Sequence, residues 1–377
     1  MKGKQGMVCM GLLLVLSSCH TGKQITASGL QRKDFQTEVN GQHTDLFTLS
    51  NKQGMEVCIT NYGARVVSIL VPDRNGKRED VVCGFSTITE YMEQRQNFGS
   101  TVGRYIGRIL NARFTLDGVE YKLVPNNGKS GHISHGGNPG FADRIWKVEQ
   151  ADTHRVRLSY LSPDGENGFP GNLKVTLVYS LGEDDNALDL TYEATTDAPT
   201  VLNLSHHSFF NISGNFTKSV EDQQLWVDAD RFTPCDDKKC VTGEYLQVAG
   251  TPLDFRMPHA IGECIDADHP QLKVVNGYDH TWELNTKGDD TRPAAWVYDP
   301  ASGRKMEIFT TEPGMQIYTG NGLKGKMTGK RGIAYPFRSA VCFETMHFQD
   351  SPNQPGFPST VLRPGEVFRS HTVYKFE

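Results

Sequence analysis

Long apolar runs are scarce in this sequence. Beyond the N-terminal segment none approaches the length that crosses a bilayer as a helix. There is no run rich in lysine and arginine, and the net charge is −5 at pH 7, so a nucleic-acid partner is disfavoured. No glycine-rich phosphate cradle of the Walker type occurs, and nothing points to a nucleotide. Helical periodicity is confined to one clear segment, 87–96, where Thr87 and Glu90 are spaced as a capping box and Ile88, Tyr91 and Met92 share a face. Cysteine is sparse and scattered. Cys58, Cys83, Cys235, Cys240, Cys264 and Cys342 fit no zinc spacing. Cys235 and Cys240 stand close enough to close a small loop in an oxidising periplasm, and for the other cysteines buried free thiols are an equal reading.

The N-terminus has the order of a targeting segment. Lys2 and Lys4 precede the apolar stretch 7–16, which ends in Leu16-Ser17-Ser18-Cys19. The Leu-small-small-Cys pattern resembles a bacterial lipobox, in which the cysteine becomes the lipidated first residue of the mature chain. An ordinary secretory signal that happens to carry a cysteine is the plainer alternative. Residues 20–34 are polar and without apolar periodicity, as expected of a tether. The expected organisation is therefore a lipoprotein signal peptide over 1–18, a lipidated Cys19 and flexible tether over 19–34, and one domain over 35–377. The expected location is the cell envelope, periplasmic or at the surface, anchored in a bacterial membrane through lipid alone.

What the chain does have is alternation. LKVTLVYSL (173–181) places Leu173, Val175, Leu177, Tyr179 and Leu181 on one face. FTLDGVEYKL (114–123) is two short runs about Asp117-Gly118, a two-residue hairpin signal. EVCITNYGARVVSILVPD (56–73) is strand-like with a break near Gly63. Many strands joined by Gly, Pro and Asn turns, with no composition break after residue 35, predict a single large all-β sandwich, mostly antiparallel and with very little helix.

Polar residues gather in a few short segments: VGRYIGRI (102–109), HISHGG (132–137), NLSHHSFFN (203–211), VNGYDHTWEL (275–284), TEPGMQIYTGNGL (311–323) and CFETMHF (342–348). If Cys342, Glu344 and Met346 share the inward face of a strand, Glu344 is a carboxylate aimed at a cleft, and it needs partners or a function. If Phe343 and Thr345 face inward, Glu344 is an ordinary solvated residue. Neighbouring side chains on a strand take opposite faces, so only one of His206 and His207 can point into a given site. The histidines of HISHGG together with His206, His207 and Glu344 admit a metal-site reading. Gln316 can bond a polyol or lie on the surface, Asp279 can be a turn residue, and Arg108 can be a surface ion-pair arginine.

Taken together and in order, these segments resemble the aldose 1-epimerase family from about residue 35 to the C-terminus. VGRYIGRI resembles the family's GR-x-x-NRI, ISHGG its LHGG, NLSHHSFFNISG its NLTNHSYFNLAG, and GYDHTWEL its DH-x-F-x-L. DGENGFPG, EPGMQIYTGN, CFET, NQPGFP and LRPGE resemble the family's DGE-x-GYPG, EPG-x-Q-x-YTGN, LETQ, NQP-x-FP and LRPGE. The resemblance implies a galactose-mutarotase β-supersandwich, no cofactor, no metal, and a free aldohexose such as galactose or glucose as substrate. It also implies Glu344 as catalytic base and His207 as catalytic acid, with Arg108, His135, Asp279 and Gln316 binding the sugar. Two departures stand out. Gly107 and His206 each occupy a position where the family usually has Asn; at Gly107 this implies that one sugar contact is missing or supplied differently, and both departures leave the reaction intact but bear on the preferred sugar.

The implied reaction interconverts α and β anomers. The C1 hydroxyl loses a proton while the ring oxygen gains one, the ring opens, the C1 end rotates, and the steps reverse. Nearby carboxylates such as Glu344 or Asp279 are expected to raise the pKa of His207 and favour imidazolium. Rival expectations are a non-catalytic carbohydrate-binding lipoprotein on the same fold, a polysaccharide hydrolase with Asp279 and Glu344 as its two carboxylates, and a hexose-6-phosphate 1-epimerase, which needs extra basic residues near the site. His206 is expected to pack behind the strand.

Overall fold

A computed structural model describes residues 24–377. The expected signal peptide, and Cys19 with it, lie outside the described residues. Three antiparallel sheets dominate. Nine strands form the largest, in the order Lys147–Ala151, Arg155–Ser162, Leu173–Leu181, Ala187–Thr196, Phe368–Phe376, Lys305–Thr310, Ala295–Tyr298, Gln224–Val227 and His259–Ala260. Six form the second: Phe209–Phe210, Val341–Met346, Gly314–Tyr318, Asp279–Glu283, Arg231–Thr233 and Leu246–Gln247. The third has four strands, Leu46–Ser50, Glu56–Thr60, Arg65–Pro72 and Arg78–Asp80.

The alternation read from the sequence is the burial pattern observed. Leu173, Val175, Leu177, Tyr179 and Leu181 are all buried, while Lys174 between them is exposed. They join Val57, Ile69, Ile317, Phe343 and Trp282 in one core between the sheets. Burying each large apolar side chain contributes about 1.5–3 kcal/mol against conformational entropy. The hairpin is present as Arg113–Leu116 paired with Val119–Lys122. Both turn residues have positive φ, 51° at Asp117 and 80° at Gly118, the combination a type I′ turn requires.

The helix Ile88–Gln94 carries the expected capping box: Thr87 accepts from the Glu90 N–H and the Glu90 side chain accepts from the Thr87 N–H. A second helix, Pro270–Val275, escaped the sequence reading because it is short. Among the described residues no helix is long and apolar enough to cross a membrane.

One expectation needs correction, and one open question is resolved. Residues 24–34 belong to the folded domain rather than to a tether. Thr26 and Leu30 are buried, Ile25 bridges Gln31, and the Ala27 and Ser28 N–H groups donate to Glu56 Oε1 at 2.7 and 3.3 Å. These are tertiary contacts of a polar segment, which periodicity does not register. Cys235 and Cys240 are free thiols. Cys235 Sγ faces His280 Nε2 at 3.8 Å, while Cys240 Sγ faces the Lys238 carbonyl oxygen at 3.8 Å.

Candidate active site

The strand Val341–Met346 settles the question of Glu344. Val341 and Phe343 pack into the main core, and Thr345 bonds Thr372 at 2.7 Å, so Cys342, Glu344 and Met346 take the other face. Glu344 is 4% exposed. The next strand, Gly314–Tyr318, sets Gln316 directly beside it in register, and Asp279–Glu283 follows with Asp279 opposite Tyr318. Three neighbouring strands thus deliver a carboxylate, an amide and a second carboxylate to one surface. Gln316 Nε2 donates to Asp279 Oδ1 at 2.6 Å, and its Oε1 accepts from Thr281 Oγ1 at 2.5 Å. A carboxylate only accepts, so this arrangement fixes which end of the amide faces Asp279.

The opposite wall comes from Ser205–His207, held antiparallel to Ser100–Val102. His207 Nε2 lies 3.4 Å from Glu344 Oε1. Its neighbour His206 points the other way, as expected for a support: its Nε2 lies 2.6 Å from Ser208 Oγ and its Nδ1 3.4 Å from the Tyr179 hydroxyl. Arg108 and His135 arrive through the short pair Arg108–Ile109 and Ile133–Ser134. His135 has φ of 53°. Its N–H donates to the Gly107 carbonyl at 2.9 Å, and its Nδ1 accepts from the Gly107 N–H at 3.4 Å. That leaves the Nε2 hydrogen of His135 for a ligand.

All six residues named from the sequence, Glu344, His207, Arg108, His135, Asp279 and Gln316, line one cavity of about 570 Å³. The structure adds residues the sequence reading passed over. Gln349 sits on the cavity wall, and Lys239 and Lys324 are exposed at its edge. None of the three lies in a motif with a chemical signature. A roomier concavity of about 680 Å³ near Arg32, His43 and Asp45 lies elsewhere and contains none of the six.

Burial dominates the electrostatics. The carboxyl of Glu344 is pushed well above its ordinary range, first by burial and then by the charge of Asp279, with Arg108 opposing. Burial also brings His207 down to about 4, and the charge of Arg65 acts in the same direction. The expected imidazolium is therefore not what this site favours: loss of water outweighs the attraction of nearby carboxylates. His135 is held well below the usual imidazole value by burial, then by His207 and Arg108.

His207, Cys342 and Glu344 have ligand-type atoms within 4.8 Å of one another and are the residues that could hold a metal. The wider metal cluster admitted from the sequence does not assemble: His206 turns to the core, and His132 Nδ1 accepts from the Asn111 N–H at 2.9 Å.

Comparison with known proteins agrees with this architecture. The family model described as aldose 1-epimerase matches residues 45–375. Galactose mutarotase of Bos taurus is 40% identical over 331 residues, covering 88% of this chain and 93% of that protein. Aldose 1-epimerase of Escherichia coli K12 is 36% identical, covering 89% and 96%. Among solved structures, the GalM/aldose epimerase homologue from C. elegans superposes with a TM-score of 0.82 at 31% identity, covering 89% of this chain and 99% of that one. Galactose 1-epimerase from Lactobacillus acidophilus gives 0.78 at 28% identity, covering 90% and 96%. The chain belongs to the aldose 1-epimerase family.

Proposed function

We propose that the cavity binds a free aldohexose, such as galactose or glucose, and interconverts its α and β anomers. The protein is a mutarotase, an isomerase. The observation that carries the assignment is the buried pair His207 and Glu344, 3.4 Å apart in a polar cavity with Arg108, Asp279 and Gln316 around it.

The chemistry needs one proton acceptor and one proton donor at the anomeric centre. Glu344 takes the proton of the C1 hydroxyl, and His207 gives one to the ring oxygen. The C1–O5 bond breaks, leaving an aldehyde, a C5 hydroxyl, a protonated Glu344 and a neutral His207. Rotation about C1–C2 presents the other carbonyl face, and reversal of both transfers closes the ring. Protons taken and given balance, so no external acid is required. The neutral pair that burial favours is the pair's state while the sugar is open. The ionised pair that starts the cycle is reached when sugar hydroxyls replace the missing water around the carboxylate. Asp279 accepts from sugar hydroxyls, while Arg108 and His135 donate to sugar oxygens. Positioning supplies part of the rate.

Polarimetry of a freshly dissolved α-anomer tests the assignment. The protein should speed the drift to equilibrium, and binding of the sugar without faster drift would support a non-catalytic binder instead. A second reading, an epimerase for phosphorylated aldoses, is supported by Lys239 and Lys324, two exposed cations that line the cavity. A lower KM for galactose 6-phosphate than for galactose would favour it. We further propose that Cys19 carries a lipid that anchors the domain in the cell envelope, a reading supported by the sequence of residues 1–19.

A further inference from the structure

Gly107 leaves a gap on the cavity wall, and one side chain occupies it. A Cβ built on Gly107 would stand 2.5 Å from Gln349 Cγ, 3.0 Å from Cδ and 3.2 Å from Oε1. Position 107 therefore has no room for a side chain while Gln349 is in place.

Gln349 is 6% exposed and lies between the two halves of the binding wall. Its Oε1 accepts from the Arg108 N–H at 3.2 Å and from Arg108 Nη1 at 3.4 Å. Its Nε2 donates to Gln316 Oε1 at 3.2 Å. Both Arg108 groups are donors, and Gln316 Oε1 is an acceptor, so the amide can sit only one way round. The backbone holds it there. Asp350 N–H donates to the Arg108 carbonyl at 2.9 Å, and Asp350 Oδ1 accepts from the Leu110 N–H at 2.9 Å. The result is a continuous polar chain from Arg108 through Gln349 and Gln316 to Asp279. The second Nε2 hydrogen of Gln349 has no acceptor among the described residues.

We propose that Gln349 is a sugar-binding residue of this chain, and that its amide supplies the contact an asparagine at position 107 would otherwise make. The inference rests on the mutarotase reading above. It makes Gln349 a determinant of which aldose is preferred, since the one amide hydrogen left over is aimed by Arg108 and Gln316 rather than by the backbone at 107.

The test is a double-mutant cycle with both kcat and KM measured by anomer exchange. Gln349→Ala should raise KM for the preferred aldose about tenfold, the usual effect of losing one hydrogen bond and stranding its partners, with kcat changed less than about threefold. Gly107→Asn alone should impair binding, because its Cβ meets Gln349; the positive φ of 74° is one that asparagine tolerates. The pair Gly107→Asn with Gln349→Ala should bring KM back to within about threefold of wild type and change the ratio of KM values for galactose and glucose. A purely structural Gln349 would instead lower Tm and kcat together, with no rescue by asparagine, and that result overturns the proposal. So does an unchanged KM in Gln349→Ala. Wild-type exchange activity is read in the same assay, so failure of the mutarotase reading shows in the wild type and failure of this inference only in the variants.

Discussion

His207 Nε2 stands 3.4 Å from Glu344 Oε1, with side chains only 7% and 5% exposed. At that distance and depth the two share a single titration problem: burial opposes charge on either one, and the proposed mechanism uses one proton between them.

The acidic limb of the pH profile follows. With His207 brought down to about 4 and Glu344 held above its ordinary range by burial, the acidic limb is set by His207 taking up a proton of its own. kcat/KM should stay level to about pH 5 and fall below it. A limb centred near the ordinary imidazole value of about 6.5 would contradict a buried pair.

His206 gives a stability prediction. Burial brings it to about 3 in the folded chain, against about 6.5 unfolded. Between those values the unfolded state binds more protons, so the folded state loses stability as pH drops from about 6.5. The loss is roughly 2 kcal/mol by about pH 5. His206→Asn removes this titration, and its urea midpoint should depend less on pH than the wild type's. Because His206 lies off the cavity, activity should hold within about threefold. Parallel pH dependences, or loss of activity, would count against this placement.

Membrane attachment is tested at Cys19. Full-length protein expressed in a bacterial host should partition with membranes, and Cys19→Ala should release it to the soluble envelope fraction without loss of anomer exchange. Equal partitioning of the two would rule out the lipid anchor.

Much of this was legible because local chemistry agreed with the global fold. The Asp117-Gly118 turn, the Thr87–Glu90 cap and the alternation of 173–181 each point one way on their own. Glu344 was ambiguous until its strand had neighbours: alternation offers two faces, and only the packing of Phe343 into the core chooses between them. Gln349 gave no signal, since it reaches the site from a turn after the strand and matters only because Gly107, far away in sequence, makes room. The segment 24–34 read as a tether because its contacts to Glu56 run through backbone N–H groups, which carry no sequence pattern. The protonation of His207 departs from the expectation because nearby charge can be read from motifs, whereas depth of burial cannot.

The most direct measurement is the exchange rate of Glu344→Gln, followed by polarimetry on freshly dissolved α-galactose or α-glucose beside the wild type, with circular dichroism to show that the fold is retained. Removing the proton acceptor while keeping the side chain's shape should cut kcat by about 10³-fold or more. A folded Glu344→Gln that exchanges anomers at near the wild-type rate would contradict the assignment of Glu344 as the base.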